Sequence, residues 1–305
     1  MAKAKRSGRA AKRSVRAAKR SGRVASESGR KTASAHYLYC IGLWDELTSH
    51  LGAAMPDPLE PNGGLELIRA EPDAKASPAV LAAVASTVPL PQYAQRRLEA
   101  KVTDPAWMAT RAMRHENVVQ YFASAASVIP LRFGAIYLDR VRVRKMLQAR
   151  RKELLAVIEK LKGREEWGVN VYCDESKLRA SVLNASRKAG ELRKEAEGGT
   201  PGQAYLARKQ FDSMGIEKSR LEIGRLLNVI EVRLQGVSEA AKRLRVLKTE
   251  SGDHGKLVGR FAFLVPRNEF ARFQAAAKGL LKSCQPAGLS LELTGPWPAY
   301  NFVQP

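Results

Sequence analysis

The stretch EWGVNVYCDESKLRASVLNASRKAGELRKEAEGGTPG, residues 166–202, contains both kinds of secondary structure that define the fold. Its first nine residues alternate branched and polar side chains, which predicts a β-strand. The residues that follow repeat apolar side chains at alternating spacings of four and three, and the Gly/Pro-rich end stops that pattern. The apolar positions of this first seam are Leu178, Val182, Ala185, Ala189, Leu192 and Ala196.

A second apolar seam follows the Gly/Pro break. It predicts one helix from about Gln203 to Lys248, which would extend roughly 65–70 Å if unbroken. Two seams joined by a short loop are typical of an antiparallel helical hairpin, which we place at residues 176–248. The second seam comprises Ile223, Leu227, Ile230, Leu234, Val237, Ala241 and Leu244.

Strand and helix patterns alternate on both sides of the hairpin. We therefore predict an α+β fold with two small sandwiches, an N-terminal domain at 35–138 and a C-terminal domain at 165–305, joined by a helix within 139–164. Further strands are predicted at 35–44, 64–70, 79–87, 127–137, 256–267 and 289–295, and further helices at 104–123, 140–162 and 269–283.

Half of the formal charge of +22 lies in residues 1–34, which contain twelve Lys or Arg and one acid. This tail repeats a seven-residue basic unit and lacks an apolar anchor, so we expect it to be disordered in isolation. Two interpretations of the tail stay open. It is either a segment that binds nucleic acid or another polyanion, or a solvated extension that aids solubility. The candidate polyanion contacts are Lys5, Arg6, Arg9, Lys12, Arg13, Arg16, Lys19, Arg20 and Arg23.

Composition excludes several classes of protein. No run of residues approaches the ~18 consecutive apolar residues of a membrane span, and the basic N-terminus lacks the apolar stretch of a secretory signal. We therefore expect a soluble cytoplasmic protein. Cys40, Cys173 and Cys284 lie far apart in the sequence, so neither a disulfide framework nor a close-spaced zinc site is indicated.

Candidate catalytic patterns are weak. His115-Glu116 would need a second histidine at position 119, where the chain has valine, so we expect His115 to be a polar cap or a partly exposed side chain. Glu165 and Glu166 lie at a helix-to-strand join, where solvated charge is the expected state. We expect no enzymatic activity, no metal and no cofactor.

Aromatic and arginine side chains at loops and strand ends admit two interpretations. Trp167 and Trp297 could fill the cores of the two sandwiches. Alternatively, Arg132, Phe133 and Tyr300 could join the two tryptophans in a surface that contacts a protein partner, because aromatic residues and arginine often anchor interfaces.

Four segments together resemble the gas vesicle protein family that comprises the accessory proteins L and F. They occur in the order and at the intervals of that family and span the chain after the tail, which itself lies outside the resemblance. The four segments are YLYCIG (37–42), HENVVQ running into VIPLRFGAIY (115–137), EWGVNV (166–171) and LTGPWPAYNFV (293–303).

The resemblance implies a modified ferredoxin-like N-terminal domain, a C-terminal α+β domain with long helices, and a role in gas vesicle assembly. It also implies the partners, which are the small hydrophobic major shell protein and other accessory proteins, without catalysis. Such a protein could cap exposed strands or helices of the shell protein through an edge strand at Val128–Tyr137 or through the hairpin. The alternative function is nucleic-acid binding through the tail.

Deleting residues 2–34 should flatten the salt dependence of any DNA binding, because the tail cations would be those that displace counterions. Fluorescence anisotropy of the full chain and the deletion variant over a salt series measures this slope. An unchanged slope would contradict the nucleic-acid interpretation of the tail.

Overall fold

Two antiparallel five-stranded sheets form the frame of the part of the chain that the structure describes. The structure, a computed structural model, describes residues 33–52, 54–71, 79–93, 103–246, 251–252 and 255–303. The basic tail and its nine candidate polyanion contacts lie outside the described residues.

The first sheet has the connectivity of a ferredoxin-like sandwich. Its strand order is β2-β3-β1-β4, with β5 also paired to β1, and helices connect β1 to β2 and β3 to β4. The predicted first three strands are confirmed. The elements are β1 (Ser34–Leu43), α1 (Trp44–Thr48), β2 (Leu65–Arg69), β3 (Leu81–Pro89), α2 (Leu90–Tyr93), α3 (Pro105–Ala125), β4 (Ile129–Pro130) and β5 (Ile136–Tyr137).

The second sheet repeats this connectivity. Its order is β10-β6-β9-β7, with β8 paired to β9, so its four main strands follow the same sequence of positions as those of the first sheet. Three helices replace the short α1 in the first crossover. The elements are α4 (Arg140–Ala149), α5 (Arg151–Leu161), β6 (Arg164–Cys173), α6 (Glu175–Asn184), α7 (Arg187–Gly198), α8 (Pro201–Gln235), β7 (Ala240–Leu244), β8 (Ser251–Gly252), β9 (Gly255–Pro266), α9 (Phe270–Cys284) and β10 (Leu289–Trp297).

The two sheets bury their faces differently. Helix α3 covers one face of the first sheet, and α4 and α5 cover the other, so β1 and β3 are apolar on both sides. This explains the nearly continuous apolar run of β3. In the second sheet, α8 and α9 cover one face through residues such as Leu227, Ile230 and Phe273.

The division into domains at residues 138 and 164 stays a prediction, since Ala33–Pro305 forms one compact unit.

Three predicted elements differ in the structure. The helix predicted at 140–162 is interrupted at Arg150, whose backbone leaves the helical conformation, and the first hairpin arm is interrupted between α6 and α7. The strand predicted at 127–137 is only the two short strands β4 and β5, because the chain turns between them at Gly134, which has a φ of 98°.

The second hairpin arm is shorter than predicted. Helix α8 ends at Gln235 rather than near Lys248, and Ala241 and Leu244 of the apolar seam lie instead in β7. Strand β7 pairs with β9, and the backbone hydrogen bonds and packing of that edge override a helical spacing that happens to continue in the sequence.

Helices α6 and α8 approach closely at a glycine. Gly215 of α8 is buried, and a Cβ atom at this position would lie 2.7 Å from Arg179 Nε and 3.3 Å from Leu183 Cδ1. The absence of a side chain therefore allows α6 and α8 to approach closely at this position. Gly224 of the same helix has open space around it.

Gly215→Leu should lower the free energy of unfolding by about 1–3 kcal/mol, because the new side chain must displace the side chains of Arg179 and Leu183 of α6. Gly224→Leu is the matched control and should raise stability by up to about 0.8 kcal/mol through helix propensity alone. Urea unfolding followed by circular dichroism measures both. Equal effects at the two positions would show that the close approach is unimportant.

Candidate functional site

The segment after β10 ties the two sheets together. The Tyr300 hydroxyl donates to Glu116 Oε2 of α3 at 3.0 Å, whereas Asn301 donates from its backbone N–H and its Nδ2 to Glu166 of β6 at 3.0 and 2.6 Å. Phe302 is fully buried against Leu161 and neighbouring side chains of β9. Residues of α3, α5, β6 and β9 thus all contact this short segment.

His115 lies at the centre of a buried polar network. The Tyr37 hydroxyl is 2.9 Å from Nδ1, and the Leu131 carbonyl oxygen is 3.0 Å from Nε2. These partners assign the proton to Nε2, which donates to the carbonyl, and leave Nδ1 to accept from the tyrosine. Burial lowers the His115 pKa to about 4, so the ring is neutral near pH 7. The expectation of a polar cap or a partly exposed histidine is wrong.

Glu166 is also buried, contrary to the expectation of solvated charge. Burial raises its pKa, while the two hydrogen bonds from Asn301 act in the opposite direction. Glu166 and Trp167 point to opposite faces of β6, which places the carboxylate under the C-terminal segment. Glu165 is partly exposed and pairs with Arg267 at 3.0 Å.

The five predicted contact residues do not form one cluster. Phe133 and Tyr300 meet at His115, and Trp297 lies three residues before Tyr300 on the same segment. Trp167 stacks on Phe270 of α9 with ring centroids 4.1 Å apart, on the opposite side of the second sheet. Arg132 and Trp297 are exposed, Trp297 by 49%. A contact role for the five residues stays a prediction.

Helix α8 carries the largest concentration of exposed apolar side chains in the described part of the chain. Half of the ten large hydrophobic residues that are exposed there lie on this helix, each with 57–67% of its surface accessible. None of the five belongs to the predicted seams, so sequence reasoning missed them. The signal that could have found them is an apolar residue lying off the seam of a long helix. The five are Tyr205, Leu206, Ile216, Leu221 and Val232.

Four of these side chains lie on a helical arm, which we define as α6, α7 and residues 201–222 of α8, and Val232 lies ten residues further along α8. Thr200 and Gln203 form a capping box at the start of α8, and Arg193 of α7 lies over the Phe211 ring at 5.7 Å. The fully buried residues through which α8 packs on the second sheet begin only at Leu226. Residues 201–225, about 37 Å of helix, therefore precede that contact.

Within the described residues there is no group of three or more His, Cys, Asp or Glu side chains that could hold a metal ion. The three cysteines are buried, and burial raises the pKa of Cys173 to about 11, which disfavours a reactive thiolate. No helix in the described part of the chain is both long and apolar enough for a membrane span.

The fold and this surface define an α+β protein with two sheets of ferredoxin-like connectivity and a helical arm that exposes apolar side chains. The model of the family described as gas vesicle synthesis protein GvpL/GvpF matches residues 35–304. The chain belongs to this family, as the sequence resemblance indicated, and the family gives it a role in gas vesicle assembly.

Individual relatives agree with this assignment. Gas vesicle protein L of Streptomyces sp. (strain CB03234) is 28% identical over 224 residues, which cover 73% of this chain and 80% of the relative. Gas vesicle protein F of the same strain is 27% identical over 201 residues, covering 63% of this chain and 76% of the relative.

Two crystal structures share the fold. GvpF from Anabaena sp. PCC7120 has a TM-score of 0.60 at 16% identity, covering 89% of this chain and 99% of that one. GvpF from Microcystis aeruginosa has a TM-score of 0.53 at 15% identity with the same coverage. The predicted α+β class is confirmed.

Phe302→Ala should lower the free energy of unfolding by about 3–5 kcal/mol, because it leaves a cavity where the C-terminal segment joins the second sheet. Trp297→Ala, in the same segment, should cost less than about 1 kcal/mol because that side chain is half exposed. Denaturant unfolding of both variants measures the difference. Similar losses would contradict the assignment of Phe302 as the buried anchor.

Proposed function

We propose that this protein is a non-catalytic accessory or minor structural component of gas vesicles that binds the small hydrophobic shell protein in the cytoplasm through the arm. The observation that carries the proposal is the concentration of exposed apolar side chains on α8. A contiguous exposed apolar surface is typical of an interaction site, and Tyr205 and Ile216 point in nearly the same direction from α8.

The physical need for such a partner follows from the chemistry of a gas-filled compartment. A shell protein that builds an apolar wall exposes apolar surface before it is polymerised, and exposed apolar surface aggregates. A partner that covers this surface removes the hazard until the shell protein joins the wall. Burying one large apolar side chain contributes about 1.5–3 kcal/mol to the free energy of binding. A few such side chains from each of the two proteins therefore stabilise the complex while its formation stays reversible.

The arm supports this role better than the edge of the first sheet does. Val128, Ile129 and Pro130 are buried, and α5 packs against β4, so the predicted edge at Val128–Tyr137 offers little free backbone to an added strand. Arg132 and Trp297 are exposed and remain candidates for a second contact, with the shell protein or with another accessory protein.

A second candidate function concerns the tail. Residues 1–34 carry half of the excess charge and precede the residues that the family model matches, so a role for them would be additional to that of the family. Binding of nucleic acid or another polyanion through the nine basic residues is the function that this charge supports.

The double variant Tyr205→Ser, Leu206→Asp should reduce retention of co-expressed shell protein about tenfold or more, because it removes two exposed apolar contacts of the arm. Gln210→Asp on the same helix is the matched control, since it adds an acid without removing an apolar side chain. A pull-down in high salt and counts of vesicles by electron microscopy measure the effect. Full retention by a folded double variant would overturn the proposed role of the arm.

A further inference from the structure

A groove of about 360 Å³ lies between α6 and α8, beside the start of β9. Its apolar part is formed by Leu178, Ile216 and Ile223, of which Ile216 is 66% exposed. Its polar lining comprises Glu175, Arg179, Ser219, Arg220 and Lys256.

The rim of this groove carries one uncompensated positive charge. Arg179 Nη2 lies 2.6 Å from Asp212 Oδ1, and Lys256 Nζ lies 2.7 Å from Glu175 Oε1, so both of these cations are paired. No carboxylate among the described residues forms an ion pair with Arg220, which is exposed. A group that complements the rim is therefore an anion.

The groove also contains an unsatisfied hydroxyl. Ser219 Oγ is buried and makes no hydrogen bond within the described part of the chain. Buried polar atoms nearly always form hydrogen bonds in folded proteins. A bound partner that offers a polar atom here would supply the hydrogen bond that Ser219 Oγ lacks. Apolar, cationic and hydrogen-bonding groups thus lie within one short stretch of surface.

The apolar line of the groove continues along the arm. Ile223 follows Ile216 by about two helical turns, and Tyr205 precedes Ile216 by about three, so the three side chains point in nearly the same direction from α8. Tyr205 is 65% exposed. A partner that follows this line over all three positions spans about 27 Å.

We propose that this line and groove bind an amphipathic α-helix of the shell protein, in which Asp or Glu residues flank the apolar face and one of them pairs with Arg220. The inference rests on the proposed function, that the arm binds this protein, and adds the chemistry of the bound segment. A helix fits because the surface consists of side chains from two helices, whose backbone groups are already bonded and cannot pair with an added strand.

The experiment uses the full chain co-expressed with the major shell protein, with the photo-crosslinking amino acid benzoylphenylalanine at position 216 or, as control, at 228. Asn228 is exposed on the same helix, about 120° around the helix axis from Ile216. We expect crosslinking from position 216 to exceed that from 228 about tenfold, and mass spectrometry to place it on a helical segment with an acid within about one turn.

Charge variants test the pairing. Arg220→Glu should lower the crosslink from position 216 about tenfold, whereas Arg220→Lys should retain most of it and Arg208→Glu, a charge reversal elsewhere on α8, should have little effect. Changing the acid of the crosslinked segment to lysine should restore crosslinking to the Arg220→Glu variant. Equal yields from Arg220→Glu and the unaltered chain, or a crosslinked segment without acids, would overturn the inference.

The failures of the two proposals differ. If the shell protein is retained on the chain but does not crosslink from position 216, the inference about the groove is wrong and the proposed function stands. If the shell protein is not retained at all, the proposed function fails, and the inference fails with it.

Discussion

The burial of the C-terminal segment is the constraint on which the rest of the structure depends. Tyr300, Asn301 and Phe302 contact, in turn, α3 of the first half, β6 of the second sheet, and the side chains between α5 and β9. Because these three residues connect elements that are far apart in sequence, neither sheet has its full set of contacts until this segment is in place. This coupling also explains the buried carboxylate of Glu166, which meets its amide partner only there.

Local patterns were enough to predict most strands and several helices. Asp104 before Pro105 marks the start of α3, and the side chain of Asp104 accepts hydrogen bonds from the backbone N–H groups of the first turn. The patterns failed where distant pairing decides the outcome. The spacing that ends at Leu244 reads as helix, yet that segment pairs with β9 at the edge of the second sheet. Sequence spacing alone contains no information about that neighbour.

The candidate site, like the fold, could be predicted only in part from the sequence. The contact surface predicted from the sequence included Phe133 and Trp167, but these two side chains are partly buried against the two cores, whereas Tyr205 and Ile216 of α8 are exposed. A pattern search for buried seams discards such off-seam residues as exceptions. Only the three-dimensional arrangement, in which α6 and α7 cover one side of α8 and leave another open, shows that Tyr205 and Ile216 lie on one exposed surface.

The arm lies in the connection between two strands of the second sheet, and this position affects how the sequences of family members can diverge. Helices α6, α7 and α8 occupy a crossover connection between β6 and β7, and both strands are held by β9 without them. Natural selection can therefore lengthen, shorten or resurface the outer turns of the arm by small steps while the sheet keeps its register. Paralogous chains on one scaffold could in this way come to recognise different components of the same particle.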